Sequence, residues 1–382
     1  MRLLESFDRP SWLYRLGRVA PTGEQLFRPP PPVTGADVDL CRRLVAAYRL
    51  ARAEAPPATG MWGHGAFGER QRVLTDALEA GDPARVAELL AAMFRSDFVL
   101  GMAAGSMVRE PLPRPLARLA WLAAMSKLVA LAEAIGAARR ENPEQNVVGS
   151  ALSDGADALV ARVEERLGAS LDFPPVGAAY GVVAGGRLIP PEWLDQVYGA
   201  VRLREVIDAY VPPRDEPRTV VEIGGGYGGM ALWLLRVTEA RYIVVDLPVV
   251  NVLQGYFLSQ ALGHEAVALY GEPPARVSIV PGHALASVPV PFDVLANKDS
   301  LPEIARDAAV GYLEWARTAC RGVVYSLNQE GAAPFDGTQQ NVVAELVEEV
   351  GGFERVRRDA SWLRRAYVEE VFVPAGGEPA RR

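Results

Sequence analysis

The sequence has few cysteines, no excess of basic charge and no long apolar run. Cys41 and Cys320 are its only cysteines and neither has a C-x-x-C partner, so we expect two reduced thiols without a redox role. The formal net charge of −7 argues against a nucleic-acid partner, because phosphate binding needs a basic surface. No stretch reaches the roughly 20 apolar residues of a membrane span. We therefore predict a cytoplasmic protein that contacts no membrane.

The length of 382 residues, with 49% hydrophobic and 23% charged residues, indicates two globular domains. Helical periodicity dominates residues 1–170, which we predict to be an all-α accessory domain that covers the substrate and could form a homodimer. Predicted helices lie at about 37–53, 69–80, 84–98, 113–139 and 152–168. Residues 171–210 are predicted to be a connecting hairpin and helix, 211–375 a ligand-binding α/β domain, and 376–382 a flexible tail.

A loop in the helical half alternates glycine with large side chains over Met61–Gly68. Two interpretations stay open for this loop. Its aromatic side chains could fill a gap in the core, or His64 could contact a substrate.

The most informative stretch is Val220–Gly229, an apolar run that ends on an acid and is followed by clustered glycines and a helical segment. This order predicts a strand, a tight turn and a helix, as at the nucleotide sites of doubly wound sheets. Gly224, Gly226 and Gly229 fit the dinucleotide pattern G-x-G-x-x-G. Glu222, Gly224, Gly226 and Gly228 equally fit E-x-G-x-G-x-G, the pattern of enzymes that use S-adenosylmethionine (SAM). Glu222 favours SAM, because a carboxylate attracts its cationic amino group and repels a pyrophosphate.

Strands and helices then alternate to the C-terminus. The strand 241–246 ends on Asp246, near the spacing at which an acid reaches ribose hydroxyls. Further strands are predicted at 277–280, 292–297 and 322–328. A final antiparallel pair at about 353–359 and 366–373 would distinguish a methyltransferase sheet from a dinucleotide-binding one.

Four segments together carry a family resemblance: Glu222–Gly229, Asp246–Pro248, Leu253–Ser259 and Asn297–Glu303. Over about residues 165–330 the sequence resembles the bacterial sugar O-methyltransferases, which are SAM-dependent class I methyltransferases. The resemblance implies an α/β fold with a Rossmann-like seven-stranded sheet, in addition to the all-α N-terminal domain. Lys298, within the Asn-x-Asp-Ser segment, departs from the pattern of the family.

The resemblance also implies roles in SAM binding for matching positions. Glu222, Gly224, Gly226 and Gly228 would hold the methionine end, and Asp246 with Leu247 the ribose. Gly282 and His283 would contact adenine. Tyr227 could cover the cofactor, and Asn297 would contribute from the fourth strand.

An alcohol acceptor needs a base or a metal to accept or displace its proton. His283, Asp299 and Glu303 are the candidate catalytic residues. His283 could instead serve only the adenine pocket, and Asp299 or Ser300 could cap a helix with Glu303 in its first turn. Asp299 and Glu303 could also hold Mg²⁺ if Glu330 supplied a third acid, although we expect no dedicated metal site. Tyr325, Asn328 and Gln329 either line the acceptor pocket or are ordinary polar residues at a strand end.

The sequence therefore predicts a SAM-dependent O-methyltransferase that acts on a hydroxyl of a sugar or a secondary metabolite, a small-molecule acceptor. Alternatives are methylation of a nitrogen, carbon or carboxylate in natural-product biosynthesis, an NAD(P)-dependent oxidoreductase, and a SAM-fold binding protein without catalysis.

Overall fold

The computed structural model describes residues 20–55, 66–145, 147–332, 334–335 and 338–376. His64 lies outside these described residues. The chain divides into two compact units. The smaller unit comprises residues up to Pro31, Ala91–Tyr198 and Trp362–Arg365, and the larger unit comprises Pro32–Leu90, Gly199–Ser361 and the residues from Ala366 onward.

The smaller unit combines helices with a small antiparallel sheet. Its helices are α4 (Arg114–Ala134) and α5 (Ala156–Leu167), and helix α6 (Trp193–Tyr210) begins in it. Its strands are β1 (Gln25–Phe27), β2 (Tyr180–Ala184) and β3 (Arg187–Ile189), in the order β1-β2-β3.

The hairpin predicted within residues 171–210 is present as β2 and β3. The N-terminal half is helical as predicted, except that the three-residue strand β1 adds a third strand to this hairpin. The Gln25 side chain fixes β1 by exchanging hydrogen bonds with the main chain of Leu112, at 2.9 and 3.0 Å. The ring of Phe27 also packs against Tyr180, with 4.5 Å between centroids.

Helix α4 is partly buried within the smaller unit. Its buried residues include Trp121, Met125 and Leu128. Among the described helices, α4 alone is long and apolar enough to cross a membrane, and 50% of its most apolar window is buried inside the protein. Core helices of globular domains pass the same length and composition test.

The larger unit is built on an eight-stranded sheet. Its strands are β4 (Thr219–Ile223), β5 (Arg241–Asp246), β6 (Val267–Ala268), β7 (Val277–Pro281), β8 (Phe292–Lys298), β9 (Cys320–Gln329), β12 (Phe353–Ala360) and β13 (Tyr367–Pro374). A separate two-stranded ribbon pairs β10 (Pro334–Phe335) with β11 (Thr338–Gln339).

The strand order of the large sheet is β12-β13-β9-β8-β4-β5-β7-β6. Neighbouring strands from β9 to β6 are parallel, whereas β13 runs antiparallel to both β9 and β12. The predicted α/β sheet and its closing antiparallel pair are therefore confirmed. The two-residue strand β6 makes the sheet eight-stranded instead of seven-stranded.

The helices of this unit are α1 (Gly35–Glu54), α2 (Ala66–Ala80), most of α3 (Pro83–Ala91), the end of α6, α7 (Gly229–Val237), α8 (Pro248–Leu262), α9 (Arg306–Ala319) and α10 (Val343–Val350). The predicted boundary at residue 170 does not match this division, because α1 to α3 lie in the unit of the sheet. Helix α1 packs its buried residue Leu44 on α8 at Gly255. A Cβ atom at Gly255 would lie 2.7 Å from Leu44 Cδ2, so the glycine permits this close approach.

Candidate active site

The turn between β4 and α7 requires glycine. Gly224, Gly226 and Gly228 have φ angles of 70°, 57° and 93°, in the region that favours glycine. A Cβ atom at Gly224 would lie 2.1 Å from Ser300 Oγ, so a side chain has no room there. Backbone turns in which φ alternates in sign can direct successive N–H groups to one side. Here the N–H groups of Gly225 and Gly226 donate to the carboxylate of Asp246.

Glu222 lies beneath the turn and is only 2% exposed. The Tyr242 hydroxyl donates to its Oε2 atom at 3.0 Å. A Cβ atom at Gly225 would lie 2.8 Å from the same oxygen, so the backbone of the turn passes directly over the carboxyl group. Burial raises the pKa of Glu222 to about 7, although Tyr242 and Lys298 favour the charged form.

This raised pKa predicts how stability depends on pH. Glu222 has a usual pKa of 4.5 when exposed, so between about 4.5 and 7 the folded state holds the proton more tightly than the unfolded state. The stabilising contribution of protonated Glu222 is lost as the pH rises through about 7. We expect Glu222→Gln, which cannot ionise, to become more stable relative to wild type as the pH rises from about 5 to 8. Urea unfolding of both proteins across this range measures the difference, and a constant difference would contradict the assignment.

Asp246 ends β5 next to the glycine turn. Its carboxylate accepts hydrogen bonds from the Leu247 N–H at 2.8 Å and from Gln254 Nε2 at 2.7 Å. Burial raises the pKa of Asp246 to about 7, and the N–H groups of Gly225 and Gly226 oppose that rise. Glu222 and Asp246 therefore border the same turn, as the sequence predicted.

The end of β7 lies beside Asp246. The Gly282 N–H donates to the main-chain oxygen of Asp246 at 2.8 Å. A Cβ atom at Gly282 would lie 2.4 Å from the hydroxyl oxygen of Tyr312, so this tyrosine of α9 covers the glycine. Tyr312 was missed by the sequence analysis, because its position among the apolar residues of α9 resembles a core position.

His283 follows Gly282 and is half-buried. Burial lowers its pKa, and the carboxylate of Glu54 opposes the shift. Its Nε2 atom is buried and has no hydrogen-bond partner within the described part of the chain. In the sheet, β7 is three strands from β8, which corresponds to about 14 Å. This separation places His283 on the Asp246 side of the turn, away from Asp299, and disfavours a shared role with it.

The end of β8 is tied to its neighbouring strands by amide side chains. Asn297 Nδ2 donates to the Ile223 carbonyl at 2.8 Å and to Ser300 Oγ at 2.6 Å. Its Oδ1 atom accepts from Asn328 Nδ2 at 2.9 Å. Ser300 Oγ also donates to the Ile223 carbonyl, at 2.9 Å. Asn297, a predicted cofactor contact, therefore holds β4, β8 and β9 in register beneath the glycine turn.

Lys298 is a buried lysine at the end of β8. Its ammonium donates to Asp299 Oδ2 at 2.7 Å, and its side chain is 7% exposed. A Cβ atom at Gly199 of α6 would lie 3.3 Å from Lys298 Cδ, so the helix packs on the aliphatic part of the lysine. Lys127 and Lys298 are the only lysines of the chain, and both form salt bridges in the interior. Because lysine is so scarce in this sequence, Lys298 could have been singled out from the sequence alone.

Asp299 follows the carboxyl end of β8 and has a strained backbone. Its φ angle is 70°, which is rare for a residue other than glycine, and its side chain is 36% exposed. The interpretation of Asp299 or Ser300 as a helix cap is wrong. Helix α9 begins at Arg306 with Ala305 as its N-cap, so Glu303 lies in the preceding loop.

Glu330 is not available as the third acidic ligand of a Mg²⁺ site with Asp299 and Glu303. Both carboxylate oxygens of Glu330 accept from Arg358, at 2.8 and 2.7 Å, so this side chain is committed to β12. Within the described ranges, no group of three or more His, Cys, Asp or Glu side chains could hold a metal ion.

Most of the remaining predicted contact residues are buried. Tyr227 is 1% exposed and packs edge-on against Phe257 at 5.1 Å, within the core. Tyr325 is fully buried four residues before the end of β9, because that strand continues to Gln329. Asn328 is also buried, whereas Gln329 is partly exposed and its Nε2 atom donates to Gln340 Oε1 at 3.3 Å.

The sequence matches no protein-family model and no curated protein. Among solved structures, it is similar to the mitomycin 7-O-methyltransferase MmcR, with 15% identity, a TM-score of 0.36 and coverage of 88% of this chain and 94% of that chain. The pyocyanin biosynthetic protein PhzM has 16% identity, a TM-score of 0.38 and coverage of 88% and 95%. The 1,6-didemethyltoxoflavin-N1-methyltransferase of Burkholderia thailandensis has 19% identity, a TM-score of 0.34 and coverage of 46% and 76%. At these TM-scores the superpositions are too loose to transfer an activity.

Proposed function

We propose that the protein is a SAM-dependent methyltransferase. The observation that carries this proposal is the pair of acids, Glu222 and Asp246, on either side of a glycine turn that has no room for side chains. A cofactor with a cationic amino group and a sulfonium gains energy beside carboxylates, whereas a pyrophosphate is repelled by them. Glu222 therefore disfavours an NAD(P)-dependent oxidoreductase, whereas Asp246 suits the ribose of either cofactor.

The charges beside the turn suit SAM. Gly224 and Gly225 let the turn pass close over Ser300 and Glu222, where a Cβ atom would clash. Glu222 would attract the amino group of the methionine part, and Asp246 would accept hydrogen bonds from the ribose hydroxyls. Gly282 and His283 would contact adenine, with His283 Nε2 free to bond a polar atom of the ring.

We infer that the acceptor is a hydroxyl of a sugar or a secondary metabolite, with Asp299 as the general base. SAM supplies an electrophilic methyl group whose bond to sulfur breaks as the acceptor oxygen attacks. Asp299 would accept the hydroxyl proton, and only the carboxylate form of an acid can do so. Lys298 is the counter-ion of that carboxylate at 2.7 Å. Strained backbone such as that of Asp299 is concentrated at functional sites, which supports this role.

A panel of acceptors tests the proposed function. Incubation with SAM should produce a mass gain of one methylene in a hydroxyl-bearing acceptor, together with S-adenosylhomocysteine (SAH). Methylation confined to amines or carboxylates would favour the alternative acceptor classes. Failure of the purified protein to bind either SAM or SAH would refute the methyltransferase assignment.

We expect replacement of Asp299 by Asn to reduce catalysis without reducing cofactor binding. Asparagine keeps the shape of the side chain but cannot accept a proton, so we expect kcat to fall by about 10²-fold or more. The dissociation constant of SAH should change little. Single-turnover methylation and calorimetry measure the two effects. Glu303→Gln is the matched control from the same loop, and an equal loss of kcat in that variant would argue against Asp299 as the base.

A further inference from the structure

The side chain of Asp246 is held by a line of two buried amides. Gln254 Nε2 donates to Asp246 Oδ2 at 2.7 Å, and Asn251 Nδ2 donates to Gln254 Oε1 at 2.9 Å. Gln254 is 0% exposed and Asn251 is 8% exposed. The two amides are three residues apart on α8, so they lie on the same side of the helix.

The hydrogen bond from Asn251 fits one orientation of the Gln254 amide. An amide carries donors at one end and an acceptor at the other, and its two orientations have nearly the same shape. The hydrogen bond from Asn251 occupies the oxygen of Gln254. The nitrogen of Gln254 must then face Asp246, where it donates to a carboxylate oxygen.

Packing alone does not explain this line. The Asn251 Oδ1 atom is buried without a partner among the described residues. Asn251 lines a small cavity between α1 and α8 whose other lining residues are mainly apolar, among them Leu44, Val252 and Ile279. An apolar side chain at position 251 would leave no unpaired oxygen. Exceptions to the rule that buried polar atoms are hydrogen-bonded occur mainly at functional sites.

We propose that Asn251 and Gln254 are positioning residues that keep the carboxylate of Asp246 aimed at the ribose of the cofactor as a hydrogen-bond acceptor. The identity of the ligand in this role rests on the proposed function. The hydrogen bonds from Asn251 to Gln254 and from Gln254 to Asp246 do not depend on it. Burial raises the pKa of Asp246 to about 7 even with Leu247 and Gln254 donating to its carboxylate. A donor to the charged form counteracts this effect.

Two other titratable groups interact with Asp246 and are unchanged in the test variants. The charge of Asp246 contributes to the raised pKa of Glu222 on β4 and to that of Tyr312 on α9. Substitutions on α8 leave both of them in place. A change in the titration of Asp246 in such variants therefore reports on the amide line.

The experiment compares Gln254→Met and Asn251→Leu with Ser259→Ala. Methionine matches the length of glutamine without a donor, and Ser259 is a buried polar residue of α8 outside the line. Carbon-13 NMR of the side-chain carboxyl groups, in protein without cofactor, should show Asp246 titrating about one pH unit higher in Gln254→Met. Asn251→Leu should shift it in the same direction by less, and Ser259→Ala should not shift it.

Calorimetry with SAH provides the second measurement. At about pH 7, Gln254→Met should bind SAH about tenfold more weakly than wild type, with much of the loss recovered at about pH 9. An unchanged Asp246 titration, or the same behaviour in Gln254→Met and Ser259→Ala, would overturn the proposal. If wild type binds no SAH, the proposed function fails, and the NMR titration still tests the amide line.

Discussion

Replacement of Gly224 by alanine should abolish SAH binding and lower the free energy of unfolding by about 3 kcal/mol or more. Gly224 has a φ angle of 70°, and a new Cβ atom would lie 2.1 Å from Ser300 Oγ and 2.3 Å from Ser300 Cβ. Ser300 cannot move freely, because its hydroxyl is bonded to Asn297 and to the Ile223 carbonyl. The turn must therefore shift, and the cofactor loses its binding surface.

Gly263→Ala is the matched control for this experiment. Gly263 has a φ angle of 96°, but nothing lies within 4 Å of a Cβ atom at that position. We expect this variant to lose about 1 kcal/mol from backbone strain alone and to bind SAH normally. Urea unfolding and SAH titration distinguish strain from steric clash. Equal effects of the two substitutions would mean that the contact with Ser300 is unimportant.

Replacement of Glu222 by alanine should weaken SAH binding by about 100-fold or more, because the cofactor loses its nearest buried counter-charge. Glu222→Gln should lose most of the same affinity, since it preserves the shape and removes the charge. Tyr242→Phe removes only the hydroxyl that donates to Glu222 at 3.0 Å, so its effect on binding should be much smaller. Isothermal titration calorimetry measures all three. Wild-type affinity in Glu222→Gln would contradict an electrostatic role.

The sheet could be predicted because its signals are local. The closing pair was predicted at 353–359 and 366–373 and is found at Phe353–Ala360 and Tyr367–Pro374. Apolar runs bounded by glycine, proline or acidic residues define such strands without knowledge of their neighbours. The acids Glu222 and Asp246 could be predicted for the same reason, since Glu222 is the penultimate residue of β4 and Asp246 the last of β5.

The partners of the N-terminal helices could not be predicted from local patterns. An amphipathic helix shows which side is buried but not what covers it. The apolar face of α1, with Leu40, Leu44 and Tyr48 buried, packs on α8 of the sheet unit, more than 200 positions later in the chain. The predicted helix at 84–98 also ends early, at Ala91, and continues as two short 3₁₀ turns.

The supporting residues of the site were missed because their types are ordinary. Gln254 and Asn251 lie in α8, whose sequence does not separate into an apolar and a polar face. Tyr312 lies among apolar residues of α9 and resembles a core residue. Their importance comes from what they touch, namely Asp246 and Gly282, which only the fold brings close. Tyr325 was expected near a strand end, but β9 runs from Cys320 to Gln329 and places it in the middle of the strand.

Calorimetry of the wild-type protein with SAH and with NADH tests the central claim most directly. Glu222 beside the glycine turn predicts binding of SAH and no binding of NADH, and Asp246→Ala should reduce the affinity for SAH. Binding of NADH without binding of SAH would contradict the assignment and make the turn a dinucleotide site.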